Sequence, residues 1–347
     1  MIEFIFTVDY EIYGNGEGSL KELVYDPAEK LKAIFDKWNA RFVTFVEVAE
    51  LEMIESRGTD QDIAIVKQQI RDFFRDGFEL GLHLHQWWYN AQFDQGKWQL
   101  DYSEYNLCAL PKERIIQIVD RSITYLREFL DKPDFTPLSF RAGHLLFHPA
   151  RNLAIALAER GIKVDSSVYK GGLWHQHKLD YRRALRNGYY WKFTDCANVP
   201  DPQGVLLELP IFTQMVPTWK MFTSKRVGLK QRGASTAQTG KRMMGRLRDF
   251  LRLSYPLKFD LGQMTKEEIM CMAEKAILED QKNPSLFRPI VVLMHTKDPL
   301  VTENIESLLS YLETKGVKVS DFNDVYNKGQ ILNQKMTGKE KHESKTG

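Results

Sequence analysis

Short apolar runs alternate along the chain with longer amphipathic segments. The apolar runs are rich in Val, Ile and Phe, as buried strands are, and cover residues 3–9, 41–48, 78–85, 137–142, 162–166, 205–211, 289–295 and 316–320. The segments between them have helical spacing over residues 27–39, 60–76, 111–131, 149–160, 265–282 and 301–315. This alternation predicts an α/β fold with a parallel sheet, and its seven or eight units predict a (β/α) barrel.

Two segments interrupt the alternation. Residues 170–204 are rich in aromatic residues, and residues 220–255 hold ten Lys or Arg against one acidic residue. We interpret both as insertions, at about residues 170–260, on a single domain of residues 1–330, with a disordered tail at 331–347. The basic segment could bind an anionic group or contact an acidic membrane surface, and a solvated helix face with a flexible loop is the alternative.

The composition is that of an ordinary globular protein. The chain has 347 residues, of which 43% are hydrophobic and 27% charged, and a formal net charge of +2. This charge argues neither for nor against an anionic partner, and we expect no nucleic-acid partner. The three cysteines are too far apart in sequence to indicate a disulfide framework or a zinc-binding pair.

The chain shows no targeting or membrane segment in its sequence. Its amino terminus has no basic stretch, and the apolar run there is too short for a signal peptide. No stretch approaches the ~20 apolar residues that a membrane span needs. We therefore expect a cytoplasmic protein.

Two histidines end the third predicted strand. His83 and His85 are two residues apart, and alternate residues of a strand face the same side. Two imidazoles that project together from a strand end suit a transition metal. The alternative is a pair of hydrogen-bonded polar side chains, because the motif is short.

Two acids end the first predicted strand. Asp9 and Glu11 share one face by the same alternation. Two histidines with one carboxylate form a common catalytic metal set that leaves positions open for water. A second carboxylate beside that set could act as a general base. The alternative is a solvated loop after the strand.

Three further predicted strands end in residues that can carry chemistry. They are Arg141, Asp165 and His295. In a barrel, catalytic groups gather at the carboxyl ends of the strands. Each residue alone is more often structural, but five strand ends that carry such groups are difficult to explain by solvation alone.

The order of these motifs resembles the polysaccharide deacetylase family, which shares the NodB-homology fold. The matching segments are Thr7-Val8-Asp9-Tyr10-Glu11, His83-Leu84-His85, Arg141-Ala142-Gly143, Asp165-Ser166-Ser167 and Leu293-Met294-His295. The resemblance covers about residues 3–320 and implies a distorted NodB-like barrel with insertions. Four motifs depart from the family pattern, as in a divergent subgroup. Tyr10 separates two acids that are adjacent there, HxH replaces HxxxH, the Arg motif lacks its usual Pro, and no Trp follows Asp165 at the usual spacing.

The resemblance also implies a role for each residue. Asp9 matches the catalytic base, and Glu11 replaces the metal-binding Asp of the family. His83 and His85 match the paired metal ligands. The residues implied to assist them are Arg141, which orients the base, His295, which protonates the departing amine, and Asp165, which orients or tunes that histidine.

These roles imply a metal-dependent hydrolase that removes an acyl group, expected to be acetyl, from an N-acylated sugar. The expected substrate is a nucleotide-linked or lipid-linked sugar in surface-polysaccharide precursor synthesis. Two alternatives stay open: hydrolysis of a non-sugar amide or imide, and an inactive carbohydrate-binding protein of the same fold. Zinc is the expected metal, and iron, cobalt or nickel would accept the same ligands.

Aromatic and histidine residues near these motifs leave further interpretations open. The segment Trp87-Trp88-Tyr89 follows the histidine pair and could form a platform for a sugar ring or pack in the core. His144 could reach the site, although capping or surface placement is the expectation. His175 and His177 repeat the HxH spacing in the insertion, and we interpret them as a surface pair.

Overall fold

The computed structural model describes residues 1–185, 189–222 and 254–328. The strands are β1 Ile2–Tyr10, β2 Val43–Glu47, β3 Leu80–Leu84, β4 Gln92–Asp94, β5 Lys97–Gln99, β6 Ser139–Ala142, β7 Val164–Asp165, β8 Leu173–Trp174, β9 Leu179–Asp180, β10 Trp191–Phe193, β11 Leu206–Glu208, β12 Thr213–Pro217, β13 Ser254–Lys258, β14 Arg288–His295 and β15 Lys318–Ser320. The helices are α1 Asp26–Lys37, α2 Val48–Arg57, α3 Ile63–Arg75, α4 Lys112–Leu130, α5 Arg151–Glu159, α6 Lys266–Lys282 and α7 Thr302–Thr314.

One sheet of nine strands organises the fold. Its order is β10-β11-β7-β6-β3-β2-β1-β14, and β15 pairs with the first half of β1. The strand pairs are parallel, except that β10 and β11 are antiparallel. Each of the eight apolar runs contains one strand of this sheet, so the predicted α/β class with a parallel sheet is confirmed.

The sheet is curled like half a barrel and is open. After β11, the strands β12 and β13 form a separate antiparallel pair, and the described residues place no long strand beside β14 on that side. Within the described ranges, isolated bridges alone link these segments to β14, through Ile211 to Val291 and Asp260 to Leu293. The complete barrel predicted from the sequence is therefore not confirmed.

The alternation along β1 separates the two faces of the sheet. Phe4, Phe6 and Val8 belong to the larger apolar cluster, which includes buried residues of the helices. Ile5 packs in a second cluster inside the curl, together with Phe45. Burial of such a side chain stabilises the fold by about 1.5–3 kcal/mol. A shift of β1 by one residue would exchange its two faces, and the burial energy of several side chains would be lost.

Among the described residues, helix α2 is the one long element that the apolar pattern did not indicate. It begins directly after β2, with no polar loop to separate the strand from the helix. Glu47, the last residue of β2, caps the helix, because its side chain accepts a hydrogen bond from the backbone N–H of Glu50. The small hairpins β4–β5 and β8–β9 were also not predicted.

Parts of the chain that carried predictions lie outside the described residues. These are most of the basic segment, at 223–253, and the tail at 331–347. In the described ranges, no helix is long and apolar enough to cross a membrane.

Glu79 is a buried carboxyl group at the amino-terminal side of β3. It accepts hydrogen bonds of 2.9 Å from the Ser139 hydroxyl and from the backbone N–H of Asn323. Burial, and next the charge of Asp321, raise the pKa of Glu79 to about 8. The folded chain therefore favours the protonated form, and stability is lost as the pH rises from about 4.5 to about 8.

We expect Glu79→Gln to remove this loss, because an amide keeps the shape, can accept from the N–H of Asn323 and donate to the Ser139 hydroxyl, and does not ionise. The unfolding temperature of the variant should exceed that of the wild type at pH 8 by on the order of 5 °C, and the gap should close towards pH 4.5. Thermal melting followed by circular dichroism measures it. Glu113→Gln, on the exposed side of α4, is the matched control. A gap that does not change with pH would contradict the assignment.

Candidate active site

The register of the parallel strands brings the predicted residues to one edge of the sheet. Asp9 on β1 pairs with His295 on β14, and His83 on β3 pairs with Arg141 on β6. Glu11 follows the end of β1 and is buried. Because these strand ends meet at the same edge, residues far apart in sequence face a common point.

A buried ion pair fixes Asp9. Arg141 is 0% exposed and donates from Nη1 to Asp9 Oδ1 at 2.6 Å. Its other nitrogens bind the Thr7 hydroxyl at 2.9 Å and the backbone carbonyl of Ser166 at 2.9 Å. Burial alone would raise the pKa of Asp9, but Arg141 and the nearby His83 and His295 outweigh it, and the pKa is lowered. Asp9 is therefore held as a carboxylate, as a general base must be.

Three ligand atoms converge beside Asp9. His85 Nε2 lies 3.1 Å from His83 Nε2 and 3.1 Å from Glu11 Oε2, and the distance from His83 Nε2 to Glu11 Oε2 is 3.7 Å. Ligand atoms about 2.1 Å from a tetrahedral metal are about 3.4 Å apart. The spacing of the three atoms therefore fits one metal ion with a position left open.

The hydrogen bonds around the histidines also suit a metal. His83 Nδ1 donates to the backbone carbonyl of Arg141 at 2.8 Å, which leaves the lone pair of Nε2 facing the cluster. The backbone N–H of His85 binds Glu47 Oε2 at 2.6 Å, although His85 Nδ1 has no partner among the described residues. Burial, above all, lowers the pKa of His85 to about 4, so its ring is neutral as a ligand requires.

Lys297 is a charged residue of the site that the sequence reasoning missed. Its Nζ lies 2.6 Å from Glu11 Oε1, so Glu11 is held with its other oxygen towards the histidines. Burial would raise the pKa of Glu11, but Lys297 and His85 lower it well below its usual range. A possible signal was the position of Lys297, two residues after His295 at a strand end.

Two further buried acids lie beside the cluster and were also missed. Glu47 joins Glu11, His83 and His85 in one group whose ligand atoms lie within 4.8 Å of one another. Glu50 binds the backbone N–H of Ile12 at 2.9 Å. Burial, and then neighbouring acids, raise the pKa values of Glu47 and Glu50 well above the usual range. This concentration of buried acids favours a bound cation.

His295 lies between three carboxylates. Its Nε2 is 3.5 Å from Asp9 Oδ2, and its Nδ1 is 3.2 Å from Asp298 Oδ2. Asp260 completes a group with His295 and Asp298 whose ligand atoms lie within 4.8 Å. Burial would lower the pKa of His295, but Asp298, Asp260 and Asp9 raise it to about 9. At neutral pH the ring is therefore an imidazolium that can donate a proton.

Asp165 is not brought to His295, which corrects the role implied for it by the resemblance. Its carboxylate accepts a hydrogen bond of 2.7 Å from the Ser167 hydroxyl. Burial raises the pKa of Asp165 to about 6. Burial, and next the charge of Asp165, raise the pKa of Glu208, its partner on β11, well above its usual range. The strand order explains the difference, because three strands separate β7 from β1 and four separate it from β14, which carries His295.

The aromatic segment after the histidines packs in the core. Trp87 and Trp88 are buried, and Tyr89 is buried with its hydroxyl 2.8 Å from Ser122 Oγ. They do not offer an open face to a sugar. His144, in contrast, reaches the site, with its ring centroid 4.9 Å from that of His85. It has a left-handed backbone, φ 57°, which is uncommon outside glycine and often marks a functional site.

A cleft of about 360 Å³ adjoins the site. Lys297 and Asp298 line one side of it, and Tyr13, Leu31 and Leu300 are among the residues on the others. Its position between the loops that follow β1 and β14 gives a ligand an approach to the charged groups.

Comparison with solved structures shows what this fold resembles. A protein assigned as a polysaccharide deacetylase from Mycobacterium smegmatis has a TM-score of 0.55 and 14% identity, with 96% of this chain and 91% of that chain covered. A second such protein, from Pseudomonas aeruginosa, has a TM-score of 0.50 and 13% identity, with 93% and 89% covered. An allantoinase has a TM-score of 0.51 and 12% identity, with 93% and 88% covered.

At these identities the likeness concerns the fold alone. The resemblance to the NodB-like deacetylase fold is thereby confirmed. An allantoinase has a similar fold, so the fold alone does not decide the reaction. No family model matches the sequence. No curated protein matches it either.

We expect Asp298→Asn to lower the pKa of His295 by about one unit or more, because the carboxylate on Nδ1 favours the imidazolium. Asp165→Asn should leave that pKa unchanged. Histidine NMR signals followed against pH measure both, with His295→Gln to assign the resonance. A larger shift in the Asp165 variant than in the Asp298 variant would restore the role that the resemblance implied.

Proposed function

We propose that this chain is a metal-dependent hydrolase that removes an acyl group, specifically acetyl, from an N-acylated sugar. The observation that supports it most is the convergence of His83, His85 and Glu11 beside the pair formed by Asp9 and His295. Amide hydrolysis needs a base for water and an acid for the amine, and the two groups face each other across 3.5 Å.

Each residue has a task in this proposal. A metal bound by Glu11, His83 and His85 would supply Lewis acidity to the acyl carbonyl and to water. Asp9 takes the proton from the attacking water, and Arg141 keeps that carboxylate in place. His295 gives its proton to the nitrogen of the departing amine. Zinc is the metal that we propose, because two imidazoles and a carboxylate suit it.

A second candidate is hydrolysis of a non-sugar amide or imide. This reaction would use the same residues. The similarity of the fold to that of an allantoinase favours this second candidate. An inactive carbohydrate-binding protein is less well supported, because both a base and an acid are present with the protonation states that turnover needs.

Further parts of the proposal rest on the sequence. They are the single domain of residues 1–330, the cytoplasmic setting, the nucleotide-linked or lipid-linked substrate in surface-polysaccharide precursor synthesis, and a peripheral membrane contact through residues 220–255.

We expect purified protein to bind about one metal ion per chain, and His83→Ala with His85→Ala to lose it. His175→Ala is the matched control, because that histidine is exposed. Metal analysis after dialysis and direct titration with zinc measure the outcome. Full retention of metal in the double variant would rule out the proposed ligands.

We expect acetate release from at least one N-acetylated sugar in a panel of sugars and nucleotide sugars. Asp9→Asn should lower kcat by about 10²–10⁴, because the amide cannot accept the proton of water. The metal content should stay the same in this variant. Release from non-sugar amides alone would favour the second candidate, and no release from any amide with full metal content would favour a binding protein.

A further inference from the structure

A second group of possible metal ligands lies on the Nδ1 side of the His295 ring. His295 Nδ1 is 3.2 Å from Asp298 Oδ2, whereas Nε2 of the same ring faces Asp9. A carboxylate oxygen of Asp260 lies within 4.8 Å of ligand atoms of both His295 and Asp298. We call Asp260, His295 and Asp298 the second cluster, and it shares no residue with the proposed metal ligands.

Asp260 is the member of the second cluster that lacks partners. The residue is only 2% exposed, and neither of its carboxylate oxygens has a hydrogen-bond partner among the described residues. Burial of an unpartnered carboxyl group costs free energy, and it raises the pKa of this group. A cation bound between Asp260 and its two neighbours would satisfy these oxygens.

The backbone holds the second cluster together from two sides. An isolated bridge joins Asp260 to Leu293 on β14, and the Phe259 carbonyl accepts a hydrogen bond of 2.8 Å from the N–H of Leu293. Two residues after Asp260, Gly262 lies against Asp298, where an added Cβ atom would be only 2.9 Å from the Asp298 Cβ. A glycine at this position therefore lets the two acids approach each other.

The residue types in the second cluster suit a divalent transition metal. One imidazole and two carboxylates supply three ligands and leave a position for water. The nearby cations do not neutralise these acids, because Arg141 is paired with Asp9 and Lys297 with Glu11. Asp298 also lines the cleft of about 360 Å³, which gives an ion access to the second cluster.

We propose that Asp260, His295 and Asp298 form a second, weaker zinc site, and that zinc bound there inhibits the enzyme by occupying its general acid. The inhibition rests on the proposed function, whereas the binding of zinc does not. The bond from zinc to His295 Nδ1 forms as the proton on Nδ1 leaves to solvent, and no electron is transferred. The ring is then a neutral imidazole that cannot protonate the departing amine.

The second site is weaker than the first because its zinc ion must displace a proton. Burial would lower the pKa of His295, but the surrounding carboxylates raise it to about 9. At neutral pH this competition lowers the affinity for zinc by about 100-fold. Purified protein therefore carries about one metal ion, and the second site fills only when zinc is in excess.

Titration with zinc, followed by calorimetry, tests the binding without any substrate. We expect the wild type to bind one equivalent tightly and a second one weakly. Asp260→Asn should weaken the second step by about ten-fold or more and leave the first unchanged, because a neutral amide is a poor zinc ligand. The variant with both His83→Ala and His85→Ala should keep the second step. Asp134→Asn, which changes an exposed acid, is the matched control.

Measurements on the wild type keep the test independent of how the variants fold. The NMR signals of His295, assigned with His295→Gln, should change when the second equivalent of zinc is added. Crystals soaked with excess zinc should show a second anomalous peak about 2.0–2.2 Å from His295 Nδ1 and from an oxygen of Asp260. Acetate release should fall as the second step saturates.

An equal second step in the wild type and in Asp260→Asn would mean an adventitious ion only, and would overturn the proposal. So would the absence of a second step up to about 1 mM zinc, or a second step that leaves the His295 signals unchanged. Full acetate release with the second site filled would overturn the inhibition. Both binding steps without acetate release at any zinc concentration would support the second site and reject the proposed hydrolysis alone.

Discussion

The buried ion pair of Arg141 and Asp9 is the interaction on which the site depends. A fully buried guanidinium is costly unless it is paired and its other nitrogens are satisfied. Arg141 meets this condition through Asp9, Thr7 and the backbone of Ser166, which lie on β1 and after β7. The same contacts hold the central strands in register and keep Asp9 ionised. Removing either partner would leave an unpaired buried charge, which typically costs about 3–5 kcal/mol.

The positively charged groups around this pair each face a different acid of the site. Asp9 faces Arg141 and His295, Glu11 faces Lys297 and the histidines, and Asp298 faces His295. Each carboxylate has a cation of its own, and the pKa of each of the three is lowered. Environments that separate the protonation states of neighbouring groups in this way are typical of acid–base sites.

Much of this site was predictable from local sequence. The alternation along a strand placed Thr7 with Asp9, and His83 with His85, because side-chain direction repeats every two residues. The strands of the sheet were predictable because buried parallel strands are continuous apolar runs. Neither the alternation nor the apolar runs predicted that Arg141 contacts Asp9. That prediction came from the family resemblance.

The partners that were missed depend on strand order and on loops. Asp260 reaches His295 through an isolated bridge to β14, and Asp298 does so through the turn that follows the strand. Asp165 lay at a strand end like the others, but three strands separate β7 from β1, so its carboxylate meets Glu208 instead. The spacing of apolar residues along the sequence predicts neither the order of the strands in the sheet nor the path of a loop.

The most direct test is a crystal structure of the metal-loaded protein with anomalous data at the metal edge. We predict one peak about 2.0–2.2 Å from Nε2 of His83, Nε2 of His85 and an oxygen of Glu11, with Asp9 still bound to Arg141. A peak bound by Asp9 in place of Glu11, or a metal elsewhere in the protein with both histidines free, would contradict the account.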